Sequence, residues 1–180
     1  MVEEISNKDK ESKQEISSRD VVNLYVDLEN LGVKIWIDGG WGVDALLGKQ
    51  TRPHKDLDVA VNQEDIPELL KYLEQKGFQE IRHDSEHNVV FEDNTGKVID
   101  YHAFITDNTG HIIGGVAYPD ESLTGTGIIG DQSVGCISPE YVVKFHSGYE
   151  LKEKDFQDVR AICKKFGIEL PKEYVHKTGV

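Results

Sequence analysis

Two aspartates, Asp56 and Asp58, stand one residue apart in the segment RPHKDLDVAV (52–61). Apolar residues alternate with them, which is the pattern of a strand with one face in a core. Both carboxylates therefore project from the same face, roughly 6.5–7 Å apart along the backbone. Like charges this close repel each other and are costly to bury unpaired, so we expect a cation between them. Paired carboxylates suit a hard divalent ion such as Mg²⁺, which also takes phosphate oxygens.

A third acid, Asp100, lies in the strand-like segment KVIDYHAFI (97–105), on the face that also carries His102. From a neighbouring strand, Asp100 would complete a metal site or accept the proton of an attacking hydroxyl. The alternative for Asp100 is a surface acid near a strand end, and for the first two aspartates it is a solvated strand face. For His102 we favour a hydrogen-bonded structural histidine over a metal ligand.

Gly39 and Gly40 separate a short apolar strand from a helix in WIDGGWGVDALL (36–47). Glycines let the backbone approach a ligand closely, and free N–H groups at a helix start attract phosphate. The spacing of the glycines and the residue after the following lysine match neither a Walker loop nor a dinucleotide-binding loop. Glycines that only turn the chain are the alternative.

The elements that must position these residues are strands in the middle of the chain and helices at its end. The helical patterns are a helix capped by Ser17 and ended by Gly32, then 41–47, 64–77, 139–147 and 152–166. The strand patterns cover 34–37, 56–61, 78–83, 88–93, 97–105 and short stretches around 111–117 and 133–137. This order predicts the α+β class. We expect a solvated N-terminal extension (1–17), a core (18–137) and a C-terminal helical segment (138–180) packed on that core.

Charge and composition narrow the possible partners. The formal net charge of −13 over 180 residues argues against a nucleic-acid duplex and fits a protein that attracts cations. No apolar run approaches the roughly 20 residues that a membrane span needs, and the polar N-terminus lacks a secretory signal. Cys136 and Cys163 have no metal-type spacing. We therefore expect a cytoplasmic protein with two buried, reduced thiols.

Two longer segments carry a family resemblance. The chain resembles the small antibiotic nucleotidyltransferases of the DNA polymerase β superfamily in the segment WIDGGWGVDALLGKQTRPHKDLDV (36–59), followed by IDYH (99–102). Within these, the short lincosamide nucleotidyltransferases are most similar, and the aminoglycoside 2''-nucleotidyltransferases come next. CISPEYVVKFHSGYELKEKDFQDV (136–159) also resembles the C-terminal helices of the lincosamide enzymes. The resemblance covers about residues 20–170 and implies a palm-like mixed sheet flanked by helices, with further helices at the C-terminal end.

The resemblance assigns roles to the three acids. It implies that Asp56 and Asp58 hold Mg²⁺, which binds the triphosphate of a nucleoside triphosphate. It implies that Asp100 is the general base for the acceptor hydroxyl and also a ligand of the metal. Two metals about 3.5–4 Å apart would serve both the attacking and the leaving oxygen.

The resemblance also implies a set of residues around the nucleotide. Gly39 and Gly40 would cradle phosphate with backbone N–H groups. Arg52 and His54 would either position the triphosphate or brace the loop that carries them. Lys144 would contact phosphate, and an exposed helix lysine is the alternative.

The activity that follows is transfer of a nucleoside monophosphate, AMP from ATP, to a hydroxyl of a lincosamide, with release of pyrophosphate and inactivation of the drug. Aminoglycosides also carry protonated amines, so 2''-O-transfer to an aminoglycoside is the first alternative. A repurposed nucleotidyltransferase that modifies a protein is the second. A binding-only module is a third, but such modules usually lose a catalytic acid.

The acceptor pocket is expected in the glycine-rich stretch 108–132, with Tyr118, Asp120 and Glu121 as candidate contacts. An ordinary surface loop is the alternative for each of them. A homodimer is expected from the family alone.

Overall fold

The computed structural model describes residues 14–175 of the chain. Most of the predicted N-terminal extension, residues 1–13, lies outside the described residues. The last part of that segment is packed instead of solvated, because Ile16 is only 3% exposed and its backbone pairs with His54. The expectation of a solvated extension is therefore wrong for Ile16, whose side chain belongs to the hydrophobic core.

Five α-helices lie within residues 14–175, close to the positions that the apolar spacing predicts. They are α1 (Ser18–Asn30), α2 (Gly39–Leu47), α3 (Ile66–Gln75), α4 (Pro139–Phe145) and α5 (Glu153–Phe166). The predicted capping box of α1 is confirmed, with reciprocal hydrogen bonds between Ser17 and Asp20. Helix α2 begins at Gly39, two residues earlier than predicted, because the side chain of Asp38 caps its first N–H group.

Eight strands form one mixed sheet across the described part of the chain. They are β1 (Ile35–Ile37), β2 (Asp56–Asn62), β3 (Gln79–Ser85), β4 (Asn88–Glu92), β5 (Val98–Thr106), β6 (Ile112–Gly115), β7 (Gly125–Ile129) and β8 (Gln132–Cys136). The strand order is β3-β4-β5-β2-β1-β8-β7, and β6 pairs with β5. Strand β7 was not predicted, because its glycines break the alternation of apolar and polar residues. The same glycines allow close packing of β7 against α2. A side chain at Gly127 would lie 2.4 Å from the backbone of Ala45 on α2.

The central pair, β2 and β5, is parallel and sets the position of the three acids. Asp56 stands opposite Val98, and Asp58 stands opposite Asp100. Alternate residues of β2 and β5 point into the core, where Leu57, Val59 and Ile99 are at most 1% exposed. The other face of the two strands carries the acids, as the period-two pattern predicts.

The helices and the sheet share one hydrophobic core. Helix α2 packs against β2, β7 and α5, and α4 packs against α5. Both cysteines are buried and unpaired, which confirms the prediction of buried free thiols. Across residues 14–175, no helix is both long and apolar enough to cross a bilayer.

Candidate active site

Two carboxylates and an imidazole meet on the polar face of the sheet. Asp58 on β2 is in register with Asp100 on β5, and Ala60 is in register with His102. Nε2 of His102 lies 3.6 Å from Oδ1 of Asp100 and 3.9 Å from Oδ1 of Asp58. One possible ligand atom from each of the three residues lies within 4.8 Å of the other two. The side chains of Asp58, Asp100 and His102 are 26%, 14% and 24% exposed, so the cluster is open to a ligand on one side.

The charges in this cluster act on one another. Burial raises the pKa of Asp100 above its ordinary value, although His102 opposes the shift. Burial alone would lower the pKa of His102, but its hydrogen bond with Asp58 and the charges of both carboxylates outweigh burial and raise it. The structure therefore places a basic ring beside Asp58 and Asp100, whereas the sequence predicts a cation between Asp56 and Asp58.

Asp56 lies on the same face but outside this compact group. It is exposed at the start of β2, and desolvation together with the charge of Asp58 raises its pKa. The predicted ligand set was Asp56, Asp58 and Asp100, whereas the compact group of the described residues contains His102 in place of Asp56. The register places Asp56 and His102 equally far, two pairs, from the Asp58–Asp100 pair. The ring of His102 is directed at both acids and so completes the group.

Asp100 is oriented by two side chains that the sequence patterns did not single out. Asn88 on β4 donates to Oδ1 of Asp100 at 2.5 Å and to the carbonyl of Tyr101 at 3.2 Å. Arg82 on β3 lies 3.4 Å from Oδ2 of the same carboxylate. Arg82 and Asn88 reach Asp100 from the two strands that precede β5 in the chain and pair in the order β3-β4-β5. The exact register of these pairs, which the sequence patterns do not give, brings the two side chains to Asp100.

The glycine turn is shaped around Asp58. Gly39 has a φ of +55°, and a Cβ added there would lie 2.0 Å from Oδ2 of Asp58. Its N–H group donates to Oδ1 of Asp38 at 2.7 Å, so this donor already has a partner within the protein. The other oxygen of Asp38 accepts a hydrogen bond from the hydroxyl of Tyr118 at 2.8 Å. Burial and the nearby charge of Asp58 raise the pKa of Asp38, although both hydrogen bonds oppose the shift.

Arg52 and His54 form a buried bracing network. His54 is 3% exposed, and its Nε2 lies 2.5 Å from Asp44 on α2, while its Nδ1 lies 3.0 Å from Arg52. Arg52 also donates to Asp158 on α5 at 2.9 Å. Both ring nitrogens of His54 are thus occupied within the protein, so of the two predicted roles the bracing one matches the contacts. A Cβ on Gly40 would lie 2.4 Å from the His54 ring, so this glycine makes room for the brace.

The remaining predicted residues lie in distinct surroundings. Lys144 is exposed on α4, with its ammonium 4.1 Å from the ring centre of Tyr141. Of the candidate acceptor contacts, Tyr118 is 6% exposed and adjoins the cluster through Asp38. Asp120 is exposed and pairs with His111, while the side chain of Glu121 is also exposed.

The donor set of the cluster fits a divalent cation. Asp58 and Asp100 offer carboxylate oxygens and His102 offers a nitrogen, all from well-packed strands. Carboxylate oxygen is the preferred ligand of Mg²⁺, and imidazole is accepted by transition metals. A divalent-ion centre beside a helix start is suited to binding and transferring phosphoryl groups.

Comparisons with known proteins agree with this arrangement. A family model described as Aminoglycoside-2''-adenylyltransferase matches residues 20–162. A lincosamide resistance protein of Staphylococcus haemolyticus is 30% identical over 151 residues, which are 81% of this chain and 93% of the relative.

Solved structures extend the agreement to three dimensions. The lincosamide antibiotic adenylyltransferase LnuA, lincomycin-bound, superposes with a TM-score of 0.75 at 26% identity, over 83% of this chain and 98% of that chain. ANT(2'')-Ia in complex with adenylyl-2''-tobramycin superposes with a TM-score of 0.70 at 20% identity, over 83% and 89% of the two chains. The predicted polymerase β-like fold, a mixed sheet flanked by helices, is confirmed. The chain belongs to the aminoglycoside-2''-adenylyltransferase family and is therefore, as its sequence predicts, a nucleotidyltransferase.

Proposed function

We propose that this enzyme transfers AMP from ATP to a hydroxyl of a lincosamide, in a Mg²⁺-dependent reaction that releases pyrophosphate and inactivates the drug. The observation that carries the proposal is the pairing of Asp58 with Asp100 across two parallel strands, directly beside the Gly39 turn. The choice of acceptor is supported by the lincosamide resistance protein, which this chain matches over 93% of its length.

Asp58 and Asp56 provide the carboxylates for the metal. Asp58 has a fixed orientation because its carboxylate packs against Gly39, and Asp56 adds a more exposed carboxylate on the same face. Mg²⁺, when bound, supplies positive charge that neutralises the triphosphate and the leaving pyrophosphate. The cost of holding two like charges together then falls, which is why the pair is tolerated.

Asp100 serves as the general base. A neutral hydroxyl is a poor nucleophile until a base accepts its proton. The raised pKa of Asp100 makes its carboxylate a stronger base than an ordinary aspartate. The acceptor hydroxyl gives its proton to Asp100 while its oxygen forms a bond to the α-phosphorus and the bond to pyrophosphate breaks. Asn88 and Arg82 hold the carboxylate in place for this transfer.

The start of α2 contributes to phosphate binding. The first N–H groups of a helix have no acceptor within the helix, and phosphate is a suitable one. Since Asp38 already accepts from Gly39, we assign this role first to Gly40. Arg52 and His54 support the turn at Gly40 through their contacts with Asp158 on α5 and Asp44 on α2, respectively. Lys144 stays a candidate for the outer phosphates, because its side chain is exposed.

An acceptor panel tests the proposal. The purified protein is incubated with ATP, Mg²⁺ and one of lincomycin, clindamycin, tobramycin or kanamycin, and pyrophosphate and the product mass are measured. We expect release only with the two lincosamides, together with a product heavier by one AMP. The Asp58→Asn variant is the matched control and should release no pyrophosphate.

Transfer to an aminoglycoside is the second candidate, because the matching family model is described by that activity. Release with tobramycin or kanamycin alone would replace the lincosamide proposal by this one. Release with none of the four drugs would contradict both and favour a protein acceptor.

A further inference from the structure

We propose that His102 supplies an imidazole nitrogen to the divalent-ion site, and that this mixed oxygen and nitrogen site prefers Mn²⁺ to Mg²⁺. The inference rests on the proposed function, which places a divalent ion on Asp58, one member of the group formed by Asp58, Asp100 and His102. It goes beyond that function by naming a nitrogen ligand and an ion preference.

The separations of the three side chains suit one ion. Two ligand atoms that each lie about 2.1 Å from an ion are about 3.0 Å apart at a right angle and about 4.2 Å apart when opposite. Nε2 of His102 is 3.6 Å from Asp100 and 3.9 Å from Asp58, which falls inside this interval. No pair in the group exceeds 4.8 Å. One ion would therefore contact all three residues after small side-chain shifts.

Two of the three ligands are held in place by surrounding residues. Oδ2 of Asp58 rests against Gly39, which leaves Oδ1 directed towards His102. Asn88 donates to Asp100 at 2.5 Å. Contacts from residues that surround the metal ligands fix the orientation of those ligands. The backbone of His102 is positioned by β5, two register pairs beyond Asp100.

The chemistry of the donor set gives the ion preference. Mg²⁺ prefers oxygen ligands in near-ideal octahedral geometry, whereas imidazole suits transition metals. Mn²⁺ shares the preference of Mg²⁺ for carboxylate oxygen. As a transition-metal ion it binds an imidazole nitrogen more readily than Mg²⁺ does, so replacing one oxygen by the nitrogen of His102 shifts the preference towards Mn²⁺.

The chain contains a matched control for the histidine. Nδ1 of His111 lies 2.7 Å from Asp120, so this pair also combines an imidazole with a carboxylate. The His111 side chain is 71% exposed, and among the described residues this pair has no third ligand within metal-binding distance. A general attraction of Mn²⁺ to histidine–aspartate pairs would therefore affect both sites.

Electron spin echo spectroscopy of bound Mn²⁺ tests the proposal directly, without any antibiotic. The protein is loaded with Mn²⁺ alone and with Mn²⁺ plus ATP, and the spectrum is searched for the coupling of an imidazole ¹⁴N. We expect this coupling in the natural protein and its replacement by a ¹⁵N signal after labelling with ¹⁵N-histidine. His102→Gln should abolish the signal and weaken Mn²⁺ binding about tenfold or more. Mg²⁺ binding should change less, and His111→Gln should change neither ion.

The proposal is overturned if Mn²⁺ binds without nitrogen coupling, or if His102→Gln keeps the coupling. Should that variant fail to fold, as judged by circular dichroism, the ¹⁵N-labelled natural protein alone decides whether a histidine binds the ion. Since no acceptor is present, failure of every antibiotic in the transfer assay would contradict the proposed function and leave the result on His102 standing.

Discussion

The carboxylate of Asp58 packs against the Cα of Gly39, with no space left for a side chain at residue 39. A Cβ there would lie 2.0 Å from Oδ2 of Asp58, far inside a normal contact. The φ of +55° at Gly39 also disfavours any other residue. The glycine is thus required by the neighbouring acid as well as by any phosphate that binds the helix start.

Gly39→Ala should therefore remove most of the transfer activity. The left-handed backbone costs about 1–2 kcal/mol of stability for a residue with a Cβ, and the clash displaces Asp58 in addition. Gly32→Ala is the control, because Gly32 has a φ of +81° but no atom within 4 Å of an added Cβ. We expect Gly32→Ala to lose similar stability in thermal unfolding and to keep its turnover. Equal turnover of the two variants would show that Asp58 tolerates the displacement.

Asn88→Ala should slow turnover without weakening nucleotide binding. Asn88 is the closest donor to Asp100, so its loss leaves the carboxylate less well oriented for proton transfer. Removing a residue that hydrogen-bonds to a metal ligand typically lowers activity about 10–100-fold. We expect kcat to fall in that range, with little change in the KM for ATP, as measured by steady-state pyrophosphate release. Asn94→Ala, in the exposed turn between β4 and β5, should leave both values unchanged.

The sequence was sufficient to predict the strand face of Asp58 and Asp100. Period-two alternation fixes which side of a strand each residue faces, and it depends only on neighbours in the chain. The glycine turn and the helix after it were predictable for the same reason, since cap and turn preferences are local.

The contacts between side chains on different strands were not predictable from one sequence. The register of β2 and β5 sets Asp58 opposite Asp100, and His102, not Asp56, completes the compact group with them. His102 was predicted to be a hydrogen-bonded structural histidine, and in the fold its ring contacts the two acids. The identity of these partners depends on strand pairing and was not predictable. Asn88 reaches the site through the β4–β5 hairpin, whose register sets it opposite His102.

Asp158→Asn should destabilise the protein and raise the KM for ATP. Asp158 is 4% exposed and pairs with Arg52 at 2.9 Å, while the Arg52 side chain is 24% exposed. Breaking a fully buried pair costs about 3–5 kcal/mol and an exposed one at most about 1 kcal/mol. For this partly exposed pair we expect a loss of about 2 kcal/mol in urea unfolding. The KM should rise because Arg52 and His54 support the turn at Gly40.

Glu68→Gln is the control for that loss. It removes an exposed ion pair with Lys71 on the surface of α3, and its effect should stay below about 0.5 kcal/mol. If Asp158→Asn also lowers the free energy of unfolding by less than about 0.5 kcal/mol, the ion pair between Arg52 and Asp158 does not brace the site.

Asp56→Asn should make the metal-free protein more stable at neutral pH, and the gain should disappear in acid. The pKa of Asp56 is raised above its ordinary value of 3.8, so the folded state holds its proton more tightly than the unfolded state. Below pH 3.8 this carboxyl is protonated in both states and costs nothing. As pH rises through the raised pKa, the natural protein loses unfolding free energy that the asparagine variant keeps. Because Asp56 is exposed, the gain should be less than about 1 kcal/mol.

Asp107→Asn provides a control of opposite sign for this pH dependence. Hydrogen bonds from Thr109 and His111 lower the pKa of Asp107, so its carboxylate stabilises the fold above pH 3.8 and loses that effect in acid. Urea unfolding at several pH values should therefore show Asp56→Asn gaining stability as pH rises and Asp107→Asn losing it. Saturating Mg²⁺ should cancel or reverse the gain of Asp56→Asn, because the ion stabilises only the protein that binds it well. A gain that persists unchanged with Mg²⁺ would separate Asp56 from the metal site and leave Asp58 and Asp100 as its acids.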